Sequence, residues 1–228
     1  MKEPGVLDVL EKVGAVIRNS HIVYTSGKHG SEYVNKDLVY LHTKKISLLC
    51  KTLARQFRDD KVEVVIAPAI GGVILSQWTA YHLSDMNDCN VLSVYAEKEI
   101  VPIPDPEGKN RQCFVETGCF SIKREYDKVV SGKRVLVVED VLTTGGSARK
   151  VVITTRAVGG EVVGLGVLCN RGGVAPQDVA NVPKLIALVN VNLDAYDETD
   201  CPLCKRGVPI NTEVGGGREF LLRQELKQ

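Results

Sequence analysis

The chain has almost no excess of charge of either sign: 29 Lys and Arg stand against 28 Asp and Glu in 228 residues, a net charge of +1. That balance removes the broad basic surface of a nucleic-acid binder, so any cationic function must be local. Long hydrophobic runs are missing as well. No stretch approaches a membrane span, and Glu3, Asp8 and Glu11 interrupt the N-terminal segment where a signal peptide is apolar. A cytoplasmic protein with neither a membrane nor a nucleic-acid partner is expected. The seven cysteines are odd in number and five lack a close partner, which argues against a disulfide framework. Two common phosphate signatures are absent: no Walker loop occurs, and no dinucleotide fingerprint follows a strand. The four histidines show no Ser-His-Asp or Cys-His order, so no covalent nucleophile is assigned. There is no internal repeat or low-complexity segment.

What is present is concentrated in RVLVVEDVLTTGGSARK, Arg134 to Lys150. Val135 to Val138 is continuously apolar and β-branched, which suits a parallel strand covered on both faces. The strand ends in Glu139 and Asp140, passes Val141 and Leu142, and breaks into a hydroxyl- and glycine-rich turn before helical spacing resumes. In open α/β sheets, ligands bind beyond the carboxyl ends of strands, where a helix N-terminus favours an anion. Thr143, Thr144 and Ser147 add hydroxyl donors. Gly145 and Gly146 let the backbone approach a phosphate and form a nest of N–H groups. Carboxylates stand beside a phosphate only with something between them, such as ribose hydroxyls or a divalent cation. Ala67 to Gly72, APAIGG, repeats the strand-to-glycine-to-helix logic and offers a second anion loop through Ile70, Gly71 and Gly72.

Patterning along the chain predicts a mainly parallel twisted sheet flanked by helices, an α/β fold. Apolar spacing and Pro4 predict a helix over Val6 to Arg18, and His21 to Thr25 and Glu32 to Leu41 read as strands around the turn SGKHGS. A helix is expected from Thr43 to Phe57, then strand Val62 to Ala67, helix Val73 to Leu83 and strand Val91 to Ala96. Val101 to Gly118 contains prolines and glycines and reads as a long mobile loop or hairpin. Strand Arg134 to Glu139, helix Gly146 to Val158, and strands Glu161 to Cys169 and Lys184 to Val189 follow. We expect a hood over residues 1–42 and a core with its C-terminal tail over 43–228. Trp78 and His82 read as packing residues of one helix. Cys201 and Cys204 offer two ligands at zinc-like spacing, and no second such pair completes a tetrahedral site, so a structural or incidental role is expected, with a zinc shared across a dimer left open.

The EDVLTTGGS string resembles the signature of the type I phosphoribosyltransferases. The resemblance implies that Glu139 and Asp140 hold the ribose hydroxyls of phosphoribosyl pyrophosphate, and that Val141 to Ser147 bind its 5-phosphate. It also implies that Ile70 to Gly72 grip the pyrophosphate. YAEKE resembles the NRKE segment of orotate phosphoribosyltransferases, in which the residue matching Lys98 contacts pyrophosphate. Glu97 departs from the arginine usual there, and Val101 from a second lysine, so Lys109, Arg111, Lys123 or Arg124 are further candidates for that charge. TSGKHGSEYVNK, Thr25 to Lys36, is similar to the segment that covers the pyrimidine, which implies Ser26, Gly27, Lys28 and Tyr33 as orotate contacts, with Thr143. Arg171 in LCNRGG matches the arginine that meets orotate; a guanidinium grips a carboxylate through two parallel hydrogen bonds. The tail CPLCKRGVPI looks like one bacterial branch of that family. The resemblance implies a magnesium-dependent homodimer that makes orotidine 5'-monophosphate, with its loop lent to the neighbouring site and the magnesium carried by pyrophosphate and ribose, not bound directly by protein side chains. A different base as acceptor, or a sensor of the donor without chemistry, are the alternatives.

Overall fold

The computed structural model describes residues 6–24, 26–104, 111–191 and 194–226. The chain divides into two compact units, residues 1–45 with 191–228, and residues 46–190. The C-terminal segment thus groups with the hood, not with the core to which the sequence reading attached it. Among the described residues no helix is long and apolar enough to cross a membrane.

The first unit opens with α1 (Val6–Lys12), which is shorter than the helix predicted to Arg18. Gly14 stops it. Its φ of +69° is left-handed, and Gly14 N–H to Glu11 O and Ala15 N–H to Leu10 O, both 2.9 Å, form the paired bonds of a Schellman end over buried Leu10 and Ala15. Pro4 and Thr25 lie outside the described residues. Beyond the stop, β1 (Val16–Ile17) pairs antiparallel with β4 (Tyr33–Val34), while β2 (Ile22–Val23) and β3 (His29–Gly30) form a separate hairpin. The strand expected from Glu32 to Leu41 is therefore extended only at Tyr33–Val34. After Asn35, whose N–H bonds Ala15 O at 2.7 Å, the polar Lys36-Asp37 pair breaks the alternation and the chain coils into α2 (Lys36–Tyr40).

The second unit is built on six strands. It begins in α3 (Thr43–Gln56), followed by β5 (Val64–Pro68), α4 (Val73–Asn87), β6 (Leu92–Ile103), β7 (Cys113–Ser121), α5 (Tyr126–Val130), β8 (Arg134–Leu142), α6 (Gly146–Ala157), β9 (Glu161–Asn170) and β10 (Leu185–Asn190). The sheet order is β10-β9-β8-β5-β6-β7. Every neighbouring pair is parallel except β6 and β7. Every residue of β5 is buried, as are Val135 to Asp140 of β8 and all of β9 after Glu161, in line with the continuous apolar runs. The chain leaves β5 for β6 on one side and returns to β8 on the other. Their carboxyl ends therefore diverge at a topological switch point, where such sheets bind ligands.

Beyond Ala96 the burial of β6 fades, and its outer half pairs with β7 in a hairpin arm kinked by a bulge between Lys98 and Ile100. The segment Val101 to Gly118 is thus a hairpin over its described residues; Lys109 and its neighbours, 105–110, lie outside them. His82 and Trp78 pack as expected, their rings stacked 6.0 Å apart and His82 Nε2 paired with Ser47 Oγ at 2.9 Å.

The chain re-enters the first unit through α7 (Pro202–Lys205) and α8 (Gly217–Glu225). Here His29 and Tyr196 exchange main-chain bonds of 2.7 and 2.8 Å, and Asn211 N–H reaches His21 O at 2.8 Å. These pairings carry His21 and His29 to Cys201 and Cys204, all four ligand atoms within 4.8 Å of one another. The sequence reading found no second pair to set beside Cys201 and Cys204; the structure brings two potential ligands to them from a hairpin far earlier in the chain, which sequence spacing could not reveal.

Packing of α3 on the sheet turns on Phe57, which is fully buried. A Cβ on Gly164 would lie 2.7 Å from its ring and one on Gly166 3.0 Å, so two glycines on one face of β9 form the slot that the ring fills. Phe57→Ala empties that slot and should lower the free energy of unfolding by about 3–5 kcal/mol. Urea denaturation reads it; a loss below about 1 kcal/mol would show that the slot collapses without cost.

Candidate active site

Glu139 and Asp140 lie near the C-terminal end of β8 and are 7% and 6% exposed. Adjacent carboxylates this deep are costly unless each is held, and both are. Asp140 N–H donates to Glu139 Oε1 at 3.1 Å and Val141 N–H to Asp140 Oδ1 at 2.6 Å. The acids form part of the wall of a cavity of about 190 Å³ whose lining is the unbroken stretch Glu139 to Ala148. The rest of that wall is the turn Thr143–Ser147 and the start of α6. Gly145 stands at the helix N-cap with φ of +74°, and a Cβ there would lie 2.8 Å from Val179, so the turn takes its shape only with glycine. Thr144 Oγ1 accepts Gly146 N–H at 3.4 Å, tightening the turn. The N-terminus of α6, with its positive dipole end, opens on the same cavity as the acids.

The neighbouring strand ends sit along the same edge. After β5, Ala69 N–H is bonded to Ala96 O at 2.7 Å, tying the loop to β6, and Ile70 is 88% exposed. Gly72, at the N-cap of α4, would place a Cβ 2.6 Å from that of Ala67. The Ala67–Gly72 loop is therefore a second glycine-dependent turn at a helix start, adjacent to the first across the switch point. After β9, Arg171 Nε donates to Thr143 Oγ1 at 2.9 Å, and the main-chain N–H groups of Arg171 and Gly172 both bond Leu142 O. Gly172 is required by proximity, since a Cβ would overlap the Thr143 carbonyl oxygen. Asn170, which the sequence reading did not single out, closes this loop by bonding Val174 N–H and O at 3.0 and 2.8 Å. Its signal was only an amide at a strand end.

The cations are engaged. Lys98, expected just beyond a strand, instead lies within β6, and its Nζ meets both oxygens of Glu116 on β7 at 3.1 and 3.0 Å. Glu97 receives Arg124 at 2.8 Å and Lys123 at 3.7 Å. The Arg124 hydrogen bond holds the Glu97 carboxyl below the usual carboxylate range. Lys98 and Glu116 are 56% and 55% exposed, so this pair is worth about 0–1 kcal/mol and yields readily to a stronger anion. Burial pushes the Cys169 thiol up to about 11, which leaves it neutral and unsuited to attack although it pairs with Val141 in register.

Ser26, Gly27 and Lys28 form the turn of the β2–β3 hairpin in the first unit, with Tyr24 N–H bonded to Lys28 O at 2.8 Å and Lys28 Nζ 3.8 Å from Asp197. Tyr33 stands in the other ladder of that unit, opposite Ile17.

A family model described as the phosphoribosyl transferase domain matches residues 39–197. An orotate phosphoribosyltransferase of Desulforamulus reducens is 35% identical over 210 residues, covering 92% of this chain and 95% of that protein. One from Thermotoga maritima is 33% identical, covering 90% and 94%. Among solved structures, orotate phosphoribosyltransferase from Aeropyrum pernix superposes with a TM-score of 0.57 at 27% identity, over 80% of this chain and 91% of that one. The Mycobacterium tuberculosis enzyme in complex with 5-phospho-α-D-ribosyl 1-diphosphate shares the fold, with a TM-score of 0.52 at 19% identity over 83% and 91% of the two chains.

Gly172→Ala should leave the sheet folded yet push the Thr143 carbonyl out of place, weakening binding of inorganic phosphate to the turn about tenfold or more. Calorimetric titration beside a circular dichroism melt separates the two effects, and unchanged phosphate affinity would show that the turn is not shaped by this contact.

Proposed function

From the premise that the chain belongs to the phosphoribosyl transferase family, on its orotate phosphoribosyltransferase branch, we propose that it transfers the phosphoribosyl group of phosphoribosyl pyrophosphate to orotate, giving orotidine 5'-monophosphate and pyrophosphate. The observation that carries this reading is the single cavity wall from Glu139 to Ala148, acidic at one end and glycine-rich at a helix N-terminus at the other. A pentose with a terminal phosphate matches both ends.

In this mechanism Glu139 and Asp140 hold the ribose hydroxyls, and Thr143 to Ser147 anchor the 5-phosphate through main-chain N–H groups and hydroxyls. N1 of orotate attacks C1 as pyrophosphate leaves, through a transition state with oxocarbenium character. Ile70 to Gly72, at the start of α4, receive the pyrophosphate, and Lys98 exchanges Glu116 for it as negative charge develops on the leaving group. Arg171, oriented by Thr143, takes the orotate carboxylate in a two-pronged hydrogen bond. Ser26, Gly27, Lys28 and Tyr33 are further acceptor contacts on sequence likeness alone. The β6–β7 hairpin excludes water, the competing nucleophile.

The donor chemistry of the acid pair is all oxygen, each carboxylate steadied by a main-chain N–H, which suits hydroxyls and a hard divalent cation together. Magnesium, when bound, supplies neutralising charge to the departing pyrophosphate. The same likeness extends the proposal to a cytoplasmic homodimer whose hairpin serves the neighbouring site, in the synthesis of pyrimidine nucleotides.

A second reading, binding of the donor without chemistry, draws on one observation: Lys98, Lys123 and Arg124 each face a carboxylate. A screen of free bases with labelled donor and Mg²⁺ decides between them. Pyrophosphate release with orotate alone supports the transferase; release only with another base moves the acceptor; donor binding with no turnover supports the second reading. Lys98→Ala should lower kcat by about 10²–10³-fold, while Glu116→Gln leaves it equal or higher. Arg171→Ala should raise the KM for orotate by about ten- to hundredfold and barely move that for the donor. Equal losses for both substrates would undo the assignment of Arg171.

A further inference from the structure

We infer that His21, His29, Cys201 and Cys204 form a closed tetrahedral site for a single zinc ion in the first unit, a structural site separate from the transfer chemistry. His21 and His29 are 2% and 0% exposed and Cys201 is fully buried. The inter-ligand distances are those of a coordination shell: His21 Nε2 to His29 Nδ1 is 3.0 Å, Cys204 Sγ to the same two atoms is 3.6 and 3.3 Å, and Cys201 Sγ to His21 Nε2 is 3.7 Å. Zinc bonds of about 2.0–2.1 Å to nitrogen and about 2.3 Å to sulfur put the edges of a regular tetrahedron at about 3.4 Å between nitrogens and about 3.6 Å from nitrogen to sulfur. The four edges given lie within about 0.4 Å of those values, and the two from Cys201 Sγ to Cys204 and His29 are under 4.8 Å.

The surroundings orient the ligands as a metal requires. His21 Nδ1–H donates to Val208 O at 2.7 Å, which fixes the tautomer and leaves Nε2 as a lone pair facing the other three groups. The polar contacts of His29 lie within the cluster: its Nδ1 faces His21 and Cys204, and its Nε2 has no hydrogen-bond partner among the described residues, with Phe220 edge-on at 4.9 Å. Cys201 stands at the N-cap of α7 and Cys204 on its last turn, and Gly207, at φ of +64°, turns the chain back so that Val208 bonds Leu203 O. A Cys-x-x-Cys turn followed by such a reversal presents both sulfurs on one side.

The ligand set selects the ion. Two thiolates and two imidazoles in a closed tetrahedral arrangement suit zinc over magnesium or calcium, which take oxygen donors. Two thiolates also cancel the dication, so the buried site carries no net charge, and the two thiol protons pass to solvent on binding. All four positions belong to protein, as in structural zinc sites. The ion would join the β2–β3 hairpin to the segment before and through α7, clamping the base of the turn that carries Ser26 to Lys28. Only that last consequence rests on the proposed acceptor contacts.

The full-length protein, purified without chelator, should contain about one equivalent of zinc per chain. Exchange for Co²⁺ should give the intense visible bands and thiolate charge transfer of tetrahedral sulfur coordination. Cys204→Ser and His29→Ala should each lose most of the metal, whereas Cys89→Ser, an exposed cysteine elsewhere, keeps it. Removal of zinc should lower the melting temperature by several degrees, and its return should restore it. No metal after purification in zinc, together with a colourless cobalt titration of the wild-type protein, overturns the site even where variants fail to fold. A Cys201–Cys204 disulfide, seen as the loss of two mass units under non-reducing conditions, overturns it too. Metal content and colour need no substrate, so their outcome is independent of the identity of the acceptor.

Discussion

The two carboxylates at the end of β8 set the terms for the surrounding structure. Adjacent in sequence and almost fully buried, they lose hydration and require main-chain N–H groups to steady them. That requirement explains the position. A parallel sheet ends its strands on one edge, and β5 and β8 are the neighbours between which the chain direction switches. There the acids and the glycine turn at the start of α6 line one cavity. The proposed ligand, a sugar bearing a phosphate, offers hydroxyls to the acids and an anion to the turn.

Charge on the hairpin side is organised on another principle. The cup after β8 is glycine-locked, its shape enforced by close approaches at Gly145 and Gly172. The cations of β6 and the segment after β7 are exposed and already paired, Lys98 with Glu116 and Arg124 with Glu97. Pairs of this kind contribute little to stability and exchange partners at little cost. In the proposed mechanism the glycine-locked half positions the sugar, and the exchangeable half, Lys98 freed from Glu116, meets charge as it develops on the leaving group.

The central sheet was legible in the sequence because buried parallel strands are continuous apolar runs, and runs alternating with helical spacings imply a mainly parallel α/β fold, though not its strand order. The positions of the acid pair, both glycine turns and Arg171 at strand ends were legible because each directly follows such a run, whereas the part proposed for Arg171 came from family resemblance. What was not legible lay where tertiary contacts override local pattern. The helix predicted to Arg18 stops at Gly14 because Val16 and Ile17 find a partner in Tyr33 and Val34. The strand predicted through Leu41 coils into α2 after Asn35. Pairing of β6 with β7 extends a strand that apolar content would have ended at Ala96, since the outer arm is exposed and held by main-chain bonds and ion pairs.

The first unit shows why its ligand cluster falls where it does. Its strands are two residues long and its helices span four to nine, against helices of 14 and 15 residues in the second unit. Elements this short bury little apolar area each, which leaves more of the unit's stability to cross-links between its segments. Hydrogen bonds between His29 and Tyr196 and between His21 and Asn211 join segments from opposite ends of the chain, so forming them carries the loop-closure entropy of nearly the whole sequence. A metal bound by both segments favours only the closed arrangement and so offsets that entropy through its own binding free energy. The second unit, with its continuous sheet and deep core, has no comparable need, and among the described residues its cysteines and histidines do not gather into such a cluster.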